Sequence, residues 1–264
     1  MSMVMLSGKT AVVTGGSRGI GSGIALELAR AGAAVAVNYQ GNAEAASRVV
    51  ASIRAAGGRA IAVQADVGRP EQVARMMERV GAELGGIDIV VNNAGICPFR
   101  DVFDIDMDVW EETIRTNLTG VFVCSQAGAR LMKERGAGGA IVNISTITSY
   151  RGGAEQVHYA ASKGGVNALT ASMANALGVY GIRVNAILCG GVVTDINRDR
   201  VPEALRTPKA TTDSLPIGRL GDPEDLGKAV VFLASPQSEW ITGVQLAVDG
   251  GFMVSEGKYA HRKR

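Results

Sequence analysis

The chain is 264 residues long, with 47% hydrophobic, 20% charged and only 5% aromatic residues, and 35 glycines. That balance excludes a disordered chain and points to a large core built from Ala, Val, Ile and Leu. The net charge of +2 comes from the end of the chain: without Lys258, Arg262, Lys263 and Arg264, acidic residues outnumber basic ones. No nucleic-acid partner is therefore expected, and 255–264 reads as a frayed basic tail.

Strands and helices alternate from the start. A strand is predicted at 9–14, a helix near 19–31, a strand at 33–38 and a helix near 42–56. A strand at 60–64 and a helix near 70–84 follow, then a strand at 87–92 and a long helix near 106–135. The second half reads as a strand at 140–145, a helix near 155–179, a strand at 182–188, a helix near 223–234 and a strand at 244–248. Most of these strands are apolar throughout, the mark of strands covered on both faces. Pro70 and Pro223 sit where a first helical turn needs no N–H, and Gly32, Gly57 and Gly181 follow helices as stops. Seven strands alternating with helices predict an α/β chain with a Rossmann-type, doubly wound, seven-stranded parallel sheet. No linker or repeat interrupts it, so 1–264 reads as a single dinucleotide-binding and catalytic domain. The stretch 190–215 lacks strand character and leaves the C-terminal end of a strand, the edge at which such sheets bind ligands. It reads as a substrate lid.

Cys97, Cys124 and Cys189 are too widely spaced for a disulfide framework or a zinc site, so no metal is expected. Residues 1–7 lack the pattern of a signal peptide, and no apolar run is long enough to span a membrane; a reducing cytoplasm is the expectation.

Between the first strand and the first helix lies Thr14-Gly15-Gly16-Ser17-Arg18-Gly19-Ile20-Gly21. Tight turns need positive φ, and a pyrophosphate approaches only where side chains are missing. The helix N-terminus then offers unpaired N–H groups and partial positive charge. An acidic residue ending the second strand would bind the adenosine ribose of NAD. Asn38 and Tyr39 stand there instead, so a 2′-phosphate is not repelled, and Arg18 is placed to pair with it. NADP(H) is favoured, with NAD(H) the alternative. Asp66 is either an acceptor for the adenine amine or a capping residue. Asn92-Asn93-Ala94-Gly95 either leaves room for ribose and nicotinamide or is a structural turn.

Tyr159 and Lys163 lie four residues apart and share a helix face. A free phenol, with a pKa near 10, is a poor base at neutral pH; an ammonium and a positive nicotinamide ring would lower that value. Ser145 ends the fifth strand at the active edge. Asn117 is polar among Ile114, Leu118, Val121 and Phe122: it either packs the helix or anchors a proton relay to Lys163.

Taken together, these pieces resemble a short-chain dehydrogenase/reductase over residues 7–252. The resemblance rests on TGGSRGIG at 14–21, Asp66-Val67, NNAG at 92–95, Asn117, Ser145, YxxxK at 159–163 and Val248-Asp249-Gly250-Gly251. It implies hydride transfer between NAD(P) and an alcohol or carbonyl. Tyr159 would exchange the hydroxyl proton, and Ser145 would orient the substrate oxygen. Lys163 would lower the Tyr159 pKa and hold the ribose, with Asn117 anchoring a water chain. Val67, Asn93, Ala94, Gly95, Val192 and Thr194 would line the cofactor. The helices near 106–135 and 155–179 would pack across a homotetramer. Where the family has Pro-Gly, this chain has Cys189-Gly190, which loosens a turn but leaves the chemistry; Cys189 itself reads as an inert thiol.

For the substrate, Thr146, Tyr150, Arg151, Gln156, His158 and Asn197 form a polar set suited to a polyhydroxylated molecule. Segments 92–99 and 194–197 resemble bacterial L-rhamnose 1-dehydrogenases, which implies oxidation of a sugar's anomeric hydroxyl. The alternative is a 3-oxoacyl-(acyl carrier protein) reductase, with Arg100, Arg151, Arg198 and Arg200 as a basic rim. A non-catalytic dinucleotide-binding scaffold is a third reading, opposed by the intact Asn117, Ser145, Tyr159 and Lys163.

Overall fold

A computed structural model describes residues 5–207 and 210–255. Its sheet takes β1 (Thr10–Val13), β2 (Ala34–Tyr39), β3 (Ala60–Gln64), β4 (Ile89–Asn92), β5 (Gly139–Thr146), β6 (Ile182–Cys189) and β7 (Gln245–Val248) in the order β3-β2-β1-β4-β5-β6-β7. Every pairing is parallel. The order reverses between β1 and β4, and the crevice at their C-terminal ends is where such a sheet binds its ligand.

The strands are largely apolar because both faces of most of them are covered. Neighbouring residues point to opposite faces: Val13, Val35 and Val91 join one core with α1 (Gly19–Arg30), α2 (Ala43–Ala55) and α8 (Pro223–Ala234). Val12, Ala36 and Val90 join a second core with α3 (Pro70–Leu84) and α5 (Gly120–Arg135). Pro70 and Pro223 are the first residues of their helices, as expected. Gly32, Gly57 and Gly181 take φ of +97°, +82° and +69°, the left-handed stops predicted for them.

Three departures bear on the site. The long helix near 106–135 is two helices, α4 (Met107–Ile114) and α5, joined by a π turn at Arg115–Thr119. Single π turns insert an extra residue and gather at functional sites; this one carries Asn117, fully buried. A short helix, α6 (Thr148–Arg151), follows β5 where none was expected. The catalytic helix α7 spans Val157–Leu177, shorter at both ends than predicted. The described residues of 190–215 hold no strand, but 3-10 turns at Arg198–Arg200 and Glu203–Leu205 and isolated bridges from Val192 to Gly221 and from Thr211 to Arg219. The basic tail from 256 onward lies outside the described residues.

Candidate active site

A cleft of about 750 Å³ opens at the C-terminal edge of the sheet. One end is the glycine-rich turn. Gly15 and Gly19 take φ of +59° and +52°, and a Cβ at Gly21 would come within 2.2 Å of the Gly15 carbonyl oxygen. The turn is fastened from behind. Thr14 Oγ1 accepts from the N–H groups of Asn93 and Ala94 at 2.9 and 3.1 Å, and Asn93 Nδ2 donates to the carbonyls of Thr14 and Gly15, both at 3.0 Å. The first turn of α1 has no side-chain cap and no acidic residue. Its N–H groups therefore remain donors toward the cleft.

On the adenosine side, Asn38 and Asp66 both line the cleft, each already engaged by protein partners. Asn38 is buried; its Oδ1 accepts from Gly15 N–H at 3.1 Å, and its Nδ2 reaches the carbonyls of Val63 and Ala65 at 3.3 and 3.1 Å. It braces the turn, with its amide already engaged. Asp66 accepts from Gly68 N–H at 2.9 Å and pairs with Arg115 at 2.9 Å and Arg69 at 3.8 Å. Its first partner is thus a cation on the π turn. Arg18 faces the cleft but pairs with Asp195 of the 190–215 segment at 3.4 Å, both side chains more than half exposed.

At the other end, Tyr159, Lys163 and Ser145 share the same cleft, as do Thr146, Gln156, Ser17, Ile20, Tyr39, Val67, Gly95, Val192 and Thr194. The Lys163 ammonium lies 5.9 Å from the Tyr159 ring centre and donates to the Ile144 carbonyl at 2.8 Å. A Cβ at Gly95 would stand 3.6 Å from that ammonium, so the missing side chain leaves the space beside it open. Ser145 Oγ donates to the Lys163 carbonyl at 3.4 Å.

Asn117 stands behind this wall, outside the lining. Its Oδ1 accepts from Ile96 N–H and its Nδ2 donates to Ile96 C=O, both at 2.8 Å; Nδ2 also reaches Ser162 Oγ at 3.2 Å. Ser162 in turn donates to the Tyr159 carbonyl at 2.7 Å. The π turn thus ties the loop after β4 to the catalytic helix.

Among the protein's own groups, the electrostatics run against the simple expectation for Tyr159. Burial outweighs every other influence and pushes its hydroxyl pKa up from the ordinary 10.0, with a hydrogen bond to Thr146 opposing. Burial likewise pulls Lys163 down from 10.5 to about 8. Lys163 alone therefore does not make Tyr159 a base. Burial also pushes Cys189 up to about 12, which keeps it an inert thiol as expected.

The substrate set divides. Thr146 and Gln156 line the cleft. Asn197 lines it too, but its Oδ1 accepts from Thr194 N–H at 2.8 Å and its Nδ2 donates to the Val192 carbonyl at 3.0 Å, so it braces the lid. Tyr150, Arg151 and His158 do not line it. Tyr150 is exposed and bonds Gln245, Arg151 stacks on Phe252 at 4.6 Å, and His158 is fully buried. The walls also hold Cys189, Arg200 and Phe252, which composition and spacing alone did not single out as pocket residues. Cys189 carried a sequence signal through its departure from Pro-Gly and Arg200 as one of the arginines read as a basic rim; Phe252 carried none.

Residues 15–253 match the family described as Enoyl-(Acyl carrier protein) reductase. The chain belongs to the short-chain dehydrogenase/reductases, the NAD(P)-dependent oxidoreductases whose motifs it carries. It is 44% identical over 255 residues to the L-rhamnose 1-dehydrogenase (NAD(P)(+)) of Azotobacter vinelandii, covering 96% of this chain and 99% of that one. Against a 3-oxoacyl-(acyl-carrier-protein) reductase of Staphylococcus aureus the identity is 41% over 244 residues, or 92% and 97% of the two chains. The crystal structure of a gluconate 5-dehydrogenase from Burkholderia cenocepacia J2315, in complex with NADP and tartrate, superposes with a TM-score of 0.88 at 37% identity, covering 96% and 98%.

Proposed function

We propose that this enzyme oxidises the anomeric hydroxyl of an L-rhamnose-like aldose to the lactone, with NADP⁺ or NAD⁺ as hydride acceptor. One observation carries the reading: Ser145, Tyr159 and Lys163 open into the same cleft as the polar wall formed by Thr146 and Gln156. The 44% identity to an L-rhamnose 1-dehydrogenase along nearly the whole chain supports it.

The cradle suits a dinucleotide, because Gly15 and Gly21 admit no side chain and the α1 N-terminus is uncapped. Gly15, Ser17, Gly19, Ile20 and Gly21 would hold the pyrophosphate, and Val67, Asn93, Ala94 and Gly95 the ribose and nicotinamide. Val192 and Thr194 would close the lid side, and Arg18 would take a 2′-phosphate. When bound, the oxidised cofactor supplies the hydride acceptor and a positive charge. Tyr159 takes the hydroxyl proton as phenolate; burial alone opposes that state, so added positive charge is what tips it. Ser145 orients the reacting oxygen. Lys163 holds the ribose and passes the proton onward, and Asn117 keeps the loop before it in place.

The exposed Met107, Phe122 and Val157 lie on α4, α5 and α7 respectively, and we assign those faces to a homotetramer. The three cysteines are all free and buried, which suits a reducing cytoplasm. Among the described residues, no helix is long and apolar enough to cross a membrane. The acyl-carrier alternative loses ground at its rim: Arg200 is held by Glu155 and Phe99, and Arg151 by Phe252. A panel of aldoses, polyols and 3-oxoacyl thioesters, followed by reduced-cofactor absorbance, decides between them. Turnover of 6-deoxyhexoses and related aldoses is expected; activity on thioesters alone rejects the sugar reading.

A further inference from the structure

Arg200 stands in a 3-10 turn of the lid, on the rim of the cleft. Its guanidinium lies 4.3 Å from the Phe99 ring centre. It also forms a two-pronged pair with Glu155, with Nη2 at 3.2 Å from one carboxylate oxygen and Nη1 on the other. Phe99 and Glu155 come from different segments, yet those segments are already joined: Arg100 N–H donates to the Glu155 carbonyl at 3.1 Å. They form one fixed abutment. The lid is fixed at its root by the two Asn197 bonds to Val192 and Thr194. Arg200 is therefore where a braced lid meets a braced wall.

What lies beneath is polar and held in place. Gln156 Nε2 donates to Cys97 Sγ at 3.3 Å. Its Oε1 presses against Gly153, where a Cβ would come within 2.4 Å. Phe99, Arg200 and Val201 close the cleft beside this pair.

We propose that Arg200, clasped by Phe99 and Glu155, sets the size limit of the substrate. Closed over the cleft, it admits a compact polyhydroxylated molecule and shuts out one with a long chain leaving the reacting carbon. The proposal rests on the sugar reading above. Arginine suits the task because its planar fork stacks on the ring and pairs with both carboxylate oxygens at once, which a lysine does not do. Both ion-pair partners are 45% exposed. Contacts of that kind shift a lid population by roughly tenfold, enough to filter substrates while still releasing product.

The test compares wild type, Arg200→Ala, Arg200→Lys and Phe99→Leu. The substrates are an aldohexose, a disaccharide, and short- and long-chain 3-oxoacyl thioesters; NADPH affinity is read separately by fluorescence titration. Arg200→Ala is expected to raise KM for the aldohexose about tenfold, with kcat within about twofold. The preference for small over large substrates falls by a similar factor, and NADPH affinity is unchanged. Arg200→Lys behaves like Arg200→Ala, and Phe99→Leu repeats the effect without altering charge. An unchanged size preference in Arg200→Ala overturns the proposal, as does a loss of NADPH affinity in step with KM. If the wild type turns over no aldose, the sugar reading fails separately. The clasp is then decided by the ratio of short to long thioesters: a fall in Arg200→Ala upholds it, and no change sinks it.

Discussion

On the sheet side of the cleft, Thr14, Asn38 and Asn93 hold the glycine-rich turn through part-buried hydrogen bonds to backbone, with the Thr14 and Asn38 side chains themselves buried. On the lid side, Arg18–Asp195 and Arg200–Glu155 join exposed side chains. Leaving a buried polar group unpaired costs about 1–3 kcal/mol, whereas an exposed ion pair contributes about 0–1 kcal/mol. The sheet side is thus built to be always in place and the lid side to be adjustable. In the proposed mechanism chemistry belongs to the first region and selection to the second, and substitutions should separate along that line.

The largest effect is expected on the sheet side. Tyr159→Phe removes the hydroxyl proposed to exchange the substrate proton and should lower kcat by about 10²–10⁴-fold. NADPH binding by fluorescence titration should change by less than about twofold, since the ring and the helix remain. Undiminished turnover would remove Tyr159 from the mechanism and weaken the claim that the fixed wall does the chemistry.

Next comes Lys163, whose charge is buried at a cost. Its folded pKa of about 8 lies below the ordinary 10.5, so between these values the unfolded chain holds the proton more often than the folded one. Stability therefore rises with pH across that window. In urea unfolding, the wild type should gain roughly 2 kcal/mol on Lys163→Met between pH 7 and pH 9.5. The oxidation rate should also climb with pH, because burial holds the Tyr159 phenol in its protonated form. Parallel stability curves for the two proteins would show that Lys163 is not buried as a charge.

The same division explains what the sequence disclosed. Strand and helix order was readable because both sheet faces are largely buried, so most strands are mainly apolar, and because Pro70, Pro223, Gly32, Gly57 and Gly181 mark the ends. Tyr159, Lys163 and Ser145 were readable because helix periodicity and a strand end fix where they point. The partners of polar side chains were not. Asp66 meets Arg115 across 49 residues, and Arg18 meets Asp195 across 177; no local pattern encodes either pairing. Asn38 lines the cleft, as its place at a strand end suggested, but its bonds to Gly15, Val63 and Ala65 belong to tertiary packing. The π turn escaped notice because its residues keep helical periodicity on either side.

The smallest effects, and the finest test of the division, lie at Arg18. Among the described residues it is the only cation lining the end of the cleft formed by the glycine-rich turn; the other lining cations, Lys163 and Arg200, stand at the substrate end. No acidic residue ends β2 to repel a 2′-phosphate or to bind both hydroxyls of a plain ribose. Arg18→Gln should therefore weaken NADP⁺ by about tenfold or more, the worth of one charge-assisted contact, and leave NAD⁺ nearly unchanged. Asp195 competes for the same guanidinium. Neutralising it in Asp195→Asn should tighten NADP⁺ by only about two- to fivefold, the scale of an exposed ion pair, again with no change for NAD⁺. Both are read as kcat/KM ratios for the two cofactors at fixed ionic strength. If Asp195→Asn moved both cofactors equally, Asp195 would be acting through lid shape; a shift confined to NADP⁺ means that the adjustable side of the cleft also tunes which dinucleotide the fixed side prefers.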